Sequence, residues 1–168
     1  SKTKLEFVET LCVCSIKDND KGKDSNKLKE RDINFKITTN VNEIKNWLYR
    51  KSIHPKIIFC TYQSSITLSK AAKNINFDFA IFDEAHRTAI LKKNINKKSY
   101  FSHTLYDNNI QINKRLFMTA TRRLSKKNKF FKEGDKVQSL TMENQNLYGK
   151  VCKSISFLEG SKTGVIAK

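Results

Sequence analysis

Two adjacent carboxylates, Asp83 and Glu84, directly follow the apolar run Phe79–Phe82. A carboxylate fixed at the end of a buried strand can hold a magnesium ion that bridges the phosphates of a nucleotide. A second carboxylate beside it can orient a water molecule or accept its proton. The pair therefore indicates metal-assisted hydrolysis of a phosphate bond, with Asp83 at the metal and Glu84 as the general base. Considered alone, the same pair is equally suited to capping a helix that follows the strand.

Two other polar clusters follow apolar runs in the same way. One comes after the run that starts at Lys56, and the other after the run that starts at Arg115. Ligands of parallel sheets bind beyond the carboxyl ends of the strands, so both clusters are expected at the same edge as the carboxylate pair. Their members are Thr61, Tyr62, Gln63 and Ser64 in the first cluster, and Thr119, Ala120 and Thr121 in the second.

Alternating strands and helices are needed to position these clusters. One helix is predicted to start at the cap Asn40, with Glu43 three residues later, and another covers Ser64–Lys73. Continuous apolar runs are typical of strands that are covered on both faces. The order of elements predicts an α/β fold with a mainly parallel sheet, flanked by helices and joined by right-handed crossovers. The predicted strands are Phe7–Ile16, Ile33–Thr38, Lys56–Thr61, Phe77–Phe82 and Arg115–Thr119, with a charged loop over Lys17–Arg31.

The chain carries a large excess of basic residues, with a net charge of +17 over 168 residues. A surplus of lysine and arginine favours polyanionic partners, because neutralised phosphates release condensed counterions. Paired basic residues at 92–93, 97–98, 122–123 and 126–127 would suit a groove that follows a nucleic-acid backbone. Coding sequence rich in A and T gives the same excess of lysine, asparagine and isoleucine, so a solvated basic surface is an equal explanation.

The four cysteines include one C-x-C pair, Cys12 and Cys14, but no second pair and no histidine pair at ligand spacing. This pattern predicts free thiols in a reducing compartment and no zinc site. No apolar stretch reaches the roughly 20 residues of a membrane span, and the first residues lack an apolar signal core. The sequence therefore predicts a soluble intracellular protein of the cytoplasm, a nucleoid or a viral factory, with no membrane partner.

The motifs resemble those of superfamily 2 DEAD/DEAH-box helicases. Residues 79–86, FAIFDEAH, resemble the Walker B strand and motif II of that family, and Met118–Thr121 (MTAT) resembles motif III. Residues 59–64, FCTYQS, are similar to the motif Ib-like segment that precedes motif II and touches the nucleic-acid backbone. Residues 148–159 resemble the end of the first motor lobe in large predicted helicases related to restriction-enzyme motor subunits. The resemblance covers Thr10–Ile166.

This resemblance implies a RecA-like (P-loop NTPase) lobe that uses ATP and Mg²⁺. Asp83 would hold the metal, Glu84 would activate water, and His86 would relay the nucleotide state towards motif III. The other implied site residues are Thr119 and Thr121, linking the ATP site to the DNA-facing surface, and Thr61, Gln63 and Ser64, contacting nucleic acid. For these residues, local hydrogen bonds at strand ends and helix caps are the alternative explanation.

A phosphate loop of the form GxxxxGK[ST] does not occur in the chain. Gly160–Thr163 (GSKT) lacks the required glycines. It is predicted to lie in a short helix, with Ser156 and Glu159 as a capping box and Gly164 as the stop. Arg122 stands where the resembled subgroup usually has proline, which makes the turn after motif III less rigid.

Residues 1–168 are therefore expected to form a partial helicase ATP-binding lobe, truncated before its first strand and phosphate loop. The resemblance implies an ATP-hydrolysing, DEAH-type helicase or translocase in the full-length context. Its partners would be nucleic acid, with DNA favoured over RNA, and a second helicase lobe. The isolated chain is expected to be inactive, because it lacks the loop that grips the phosphates. Two alternatives stay open: a basic nucleic-acid-binding module without turnover, and the motor part of a restriction enzyme.

Overall fold

A computed structural model of the chain describes residues 7–15, 35–89, 100–124 and 141–164. The charged loop predicted over Lys17–Arg31 lies outside these ranges. So do the basic pairs at 92–93, 97–98 and 126–127.

Five strands in the described ranges form two parallel sheets. In the first sheet β1 lies between β2 and β3, and in the second β4 pairs with β5. Leu11 faces Ile58 across the first sheet, and Phe82 faces Phe117 across the second. The strands are β1 (Glu9–Val13), β2 (Lys36–Ile37), β3 (Lys56–Cys60), β4 (Asn76–Phe82) and β5 (Gln111–Phe117).

The strands β3 and β4 follow the predicted runs closely, β1 and β2 cover only Glu9–Val13 and Lys36–Ile37 of theirs, and β5 starts earlier than predicted. That strand begins at Gln111, four residues before the predicted start at Arg115. Its first half has one buried apolar residue, Ile112, between polar ones, and its backbone pairs with Asn76–Phe79 of β4. The apolar pattern did not reveal this half of the strand, because backbone hydrogen bonds to β4 do not require apolar side chains.

The helices are short, and their starts are fixed by side-chain caps where the sequence predicted them. Asn40 caps the first helix, its Oδ1 accepting hydrogen bonds from the backbone N–H of Asn42 at 2.9 Å and of Glu43 at 3.3 Å. Ser156 caps the last helix, because its Oγ accepts from Glu159 N–H. This helix runs to Lys162, so the GSKT segment lies at its C-terminal end. The α-helices are α1 (Val41–Tyr49), α2 (Ser65–Ala71), α3 (Gln145–Tyr148) and α4 (Phe157–Lys162), and the 3₁₀ helices are Ala85–Thr88 and Tyr100–Leu105.

Two apolar clusters hold the described elements together. The first packs α1 and α2 on one face of the β1–β3 sheet, and the second packs the 3₁₀ helix Ala85–Thr88 against β4 and β5. Phe77 contacts both clusters and so joins the two sheets. The buried members of the first are Leu11, Val13, Ile44, Leu68 and Ala71, and those of the second are Phe82, Ala85, Ala89, Ile110, Ile112 and Met142.

The expectation that β3 and β4 are covered on both faces was wrong for this structure. Phe59 of β3 and Phe79 of β4 are 56% and 54% exposed, and Ile57 and Ile81 are exposed beside them. Successive side chains of a strand point to opposite faces. The helices α1 and α2 cover the face that carries Leu11 and Ile58, so the alternate side chains of β3 remain at the surface.

Candidate active site

The turn after β4 is held in part by Met118, the residue that follows the neighbouring strand β5. Met118 N–H donates to the carbonyl of Phe82 at 2.9 Å, and Ala85 N–H donates to the carbonyl of Met118 at 2.9 Å. The backbone pairing between β4 and β5 thus continues past the strand ends, through the residues on either side of Asp83 and Glu84. Both of these side chains are exposed, and the Glu84 carboxylate is 55% accessible.

Glu84 has a left-handed backbone, with φ 49° and ψ 42°. In the described ranges it is the one non-glycine residue with positive φ. A residue with a Cβ in this conformation costs on the order of 1–2 kcal/mol, so the surrounding contacts must hold it there. Glu84 makes no side-chain cap bond to the 3₁₀ helix that it precedes, while Asp83 Oδ1 accepts a hydrogen bond from Glu84 N–H at 2.9 Å. The capping alternative therefore does not account for the Glu84 carboxylate.

The His86 imidazole connects this turn to the end of β5. Its Nδ1 lies 3.1 Å from Glu84 Oε2 and 3.0 Å from Thr119 Oγ1. The Thr119 hydroxyl donates its one proton to the carbonyl of Thr121 at 3.0 Å. With that proton engaged, Thr119 Oγ1 faces His86 as an acceptor, and Nδ1 is the ring atom that Glu84 and Thr119 share.

Thr119 and Thr121 thus combine the local and the long-range arrangement. Besides its bond to the Thr121 carbonyl, the Thr119 hydroxyl accepts from Thr121 N–H at 3.3 Å, as expected of residues that close a strand end locally. The same hydroxyl also reaches His86, 33 residues earlier in the chain. In this network Thr121 takes part through its backbone groups.

The segment after β3, Thr61–Ser64, is closed mainly by its own hydrogen bonds. Thr61 Oγ1 donates to Ser64 Oγ at 3.0 Å, and Ser64 N–H donates to the carbonyl of Thr61 at 3.0 Å. Ser64 is buried, whereas Thr61 and Gln63 are exposed. Thr61 N–H also donates to the carbonyl of Val13 at 3.3 Å, which ties the segment to the end of β1.

Tyr62 brings the first cluster to the second, and sequence reasoning did not single it out. Its hydroxyl donates to the backbone carbonyl of Asp83 at 2.7 Å. Its ring lies 5.6 Å from the ring of Phe101. Burial raises the pKa of Tyr62 to about 12, and the negative charge of Asp83 acts in the same direction. The predicted clustering of polar segments at one edge is therefore realised through this contact.

Tyr148 contacts the end of the 3₁₀ helix Ala85–Thr88, and it too was not a predicted site residue. Its hydroxyl lies 2.9 Å from Thr88 Oγ1, and its ring packs edge-on against Phe117 with centroids 5.0 Å apart. Burial also raises the pKa of Tyr148. Neither tyrosine could be identified from a local sequence pattern, because their partners lie 21 and 60 residues away.

The donor set fits a magnesium ion that is shared with a nucleotide better than a metal held by protein alone. The described ranges contain no group of three or more His, Cys, Asp or Glu side chains placed to hold a metal. Magnesium at nucleotide sites is typically bound through one or two carboxylates plus phosphate oxygens and water, and Asp83 could supply such a carboxylate.

None of the helices in the described ranges has the length and apolar character of a membrane span.

Comparison with known proteins identifies the family. The model of the type III restriction enzyme res subunit matches residues 8–124, which is more than half of the chain. No curated protein matches the chain.

Two solved structures share the fold. One is a nuclease-deletion mutant of the Type ISP restriction-modification enzyme LlaGI in complex with a DNA substrate mimic, with 26% identity and a TM-score of 0.61. The other is the ATP-dependent Type ISP restriction-modification enzyme LlaBIII bound to DNA, with 24% identity and a TM-score of 0.59. Each comparison covers 94% of this chain but only 13% of the first protein and 10% of the second. The chain belongs to the type III restriction enzyme res subunit family, which is superfamily 2 helicase-like, and it has the RecA-like parallel sheet of such motors.

Proposed function

We propose that this chain is part of a motor lobe that hydrolyses ATP with Mg²⁺ and drives movement on DNA within a restriction-type enzyme. The observation that carries the proposal is the turn after β4, where an exposed Glu84 carboxylate is held by His86 and the same imidazole contacts Thr119. The family match supports a helicase-like motor, and both solved relatives are described as bound to DNA or to a DNA mimic.

In this proposal Asp83 and Glu84 perform the chemistry. Bound Mg²⁺ would neutralise charge on the phosphates of ATP and polarise them. Asp83 offers a carboxylate for the ion, since Oδ1 accepts from Glu84 N–H and the rest of the carboxylate is exposed. Glu84 would orient the attacking water and accept its proton. The left-handed backbone of Glu84 fixes the direction in which its side chain leaves the main chain.

His86, Thr119 and Thr121 would pass the state of the nucleotide site to the end of β5. A shift of Glu84 on hydrolysis changes its 3.1 Å contact with His86, and the 3.0 Å contact of His86 with Thr119 carries the change onward. Thr121 follows because its backbone is bonded to the Thr119 hydroxyl. Thr61, Gln63 and Ser64 are proposed to contact the DNA backbone, with the exposed Gln63 as the most accessible of the three.

The test is ATP hydrolysis by the full-length protein that contains this chain, with and without single- and double-stranded DNA. Hydrolysis stimulated by DNA is expected, and Glu84→Gln should lower the rate by about 10²–10⁴-fold, the usual contribution of a general base. Asp78→Asn is the matched control, because it removes one negative charge from an exposed position on the same strand. Equal rates for the unmodified protein and Glu84→Gln would contradict the proposal.

A binding module without turnover is the second candidate, and the charge of the chain favours it. The chain has a net charge of +17, which suits a polyanionic partner whether or not ATP is hydrolysed. This candidate predicts DNA binding that weakens steeply with salt and is unchanged by Glu84→Gln. DNA binding without detectable hydrolysis by the full-length protein would favour it over the motor.

A further inference from the structure

We propose that Tyr62 is a positioning residue that couples the Thr61–Ser64 segment to the Asp83–Glu84 turn. This inference rests on the proposed function and adds to it the physical connection between the DNA-contacting segment and the hydrolytic carboxylates. It is carried by the 2.7 Å hydrogen bond from the Tyr62 hydroxyl to the backbone carbonyl of Asp83.

The accepting carbonyl belongs to the peptide unit that sets the geometry of both carboxylates. A peptide unit is planar, so fixing the carbonyl of Asp83 also fixes the direction of Glu84 N–H. That N–H donates to Asp83 Oδ1, and the same residue, Glu84, has the left-handed backbone. A rotation of this one peptide would therefore move the Asp83 carboxylate and the starting point of the Glu84 side chain together.

The other end of the link is equally well held. The backbone carbonyl of Tyr62 accepts from Ser65 Oγ at 2.7 Å and from Ser65 N–H at 3.3 Å, and Ser65 is buried at the start of α2. The Tyr62 ring packs against Phe101 and the second apolar cluster. Because the backbone and the ring of Tyr62 are both held, a displacement of the Thr61–Ser64 segment by bound DNA also displaces the Asp83 carbonyl.

Tyr148 provides an internal comparison. Like Tyr62, it is partly buried and packs against the second cluster. Its hydroxyl, however, hydrogen-bonds Thr88, at the end of the 3₁₀ helix, and not the turn. If the tyrosine hydroxyls served only packing and stability, the loss of either would have the same consequence.

The experiment compares Tyr62→Phe with Tyr148→Phe in the full-length protein. Each variant keeps its ring and loses one hydroxyl. We expect Tyr62→Phe to lower the ratio of DNA-stimulated to unstimulated ATP hydrolysis by about tenfold, the effect of one hydrogen bond on a rate. Tyr148→Phe should keep the ratio of the unmodified protein. An unchanged ratio in Tyr62→Phe, or an equal loss in both variants, would overturn the inference.

A second measurement does not depend on hydrolysis. Amide hydrogen exchange over residues 82–89 is followed with and without a single-stranded oligodeoxynucleotide of mixed sequence. Exchange in this segment should slow on addition of the oligonucleotide in the unmodified protein and in Tyr148→Phe, but not in Tyr62→Phe. No response in the unmodified protein would overturn the coupling. The motor proposal fails separately, if the unmodified protein does not hydrolyse ATP or Glu84→Gln hydrolyses it normally.

Discussion

Two turns at the same edge of the molecule are built in opposite ways. The Thr61–Ser64 segment closes on itself through hydrogen bonds between residues three apart. The Asp83–Glu84 turn is strained at Glu84 and is held from outside, by Met118 of the neighbouring chain segment and by Tyr62. The candidate chemistry therefore lies on the turn whose geometry depends on the rest of the fold. The candidate DNA contact sits on the turn that is self-contained.

The contact between Thr119 and His86 is one of the distant contacts that hold the Asp83–Glu84 turn, and it can be removed by one substitution. Thr119→Val removes the hydroxyl that meets His86 and leaves a side chain of the same shape. DNA-stimulated ATP hydrolysis of the full-length protein should fall by about tenfold or more, because the variant loses the contact with His86 together with the two hydrogen bonds to the backbone of Thr121. Thr119→Ser is the matched control, because it keeps the hydroxyl and should retain most of the rate. Similar rates for the valine and serine variants would show that the contact with His86 contributes nothing.

Local signals in the sequence predicted the parts of the fold that are locally determined. The Asn40 cap and the positions of the strands β3 and β4 were confirmed, because a cap or an apolar strand is specified within a few residues. Likewise, the placement of Asp83 directly after a strand follows from the run Phe79–Phe82. The roles assigned to the site residues stay predictions.

The parts that sequence reasoning missed are those that depend on distant residues. The left-handed backbone of Glu84 is imposed on a residue type that does not favour it, so no local propensity announces it. The Tyr62–Asp83 bond joins residues 21 apart, and the His86–Thr119 bond joins residues 33 apart. The exposed face of β3 and β4 was missed for a related reason, since an apolar run does not reveal whether other elements cover both of its faces.

A glycine substitution in each turn separates strain from local closure. Glu84→Gly should raise the free energy of unfolding by about 1 kcal/mol, because glycine adopts the left-handed region without steric cost. It should also abolish hydrolysis if Glu84 is the general base. Thr61→Gly should lower the free energy of unfolding instead, because Thr61 has no positive φ to relieve and loses its bond to Ser64. Urea unfolding of both variants measures the difference, and a lower stability for Glu84→Gly would show that the turn is not strained.

The smallest expected effect concerns the self-contained turn and its proposed contact with DNA. Gln63 is exposed within a segment whose other polar groups are largely occupied by one another. Gln63→Ala should weaken DNA binding by about threefold, the loss of one neutral hydrogen bond to the backbone. The slope of affinity against salt should stay the same, because no charge is removed. Ser64→Ala is the comparison within the same proposed contact: Ser64 is buried and its hydroxyl accepts from Thr61, so its loss should mainly lower stability and should weaken DNA binding less than Gln63→Ala does. The opposite result, with Ser64→Ala weakening DNA binding and Gln63→Ala leaving it intact, would mean that the segment must open before it meets DNA, and that its local closure is a property of the unbound state alone.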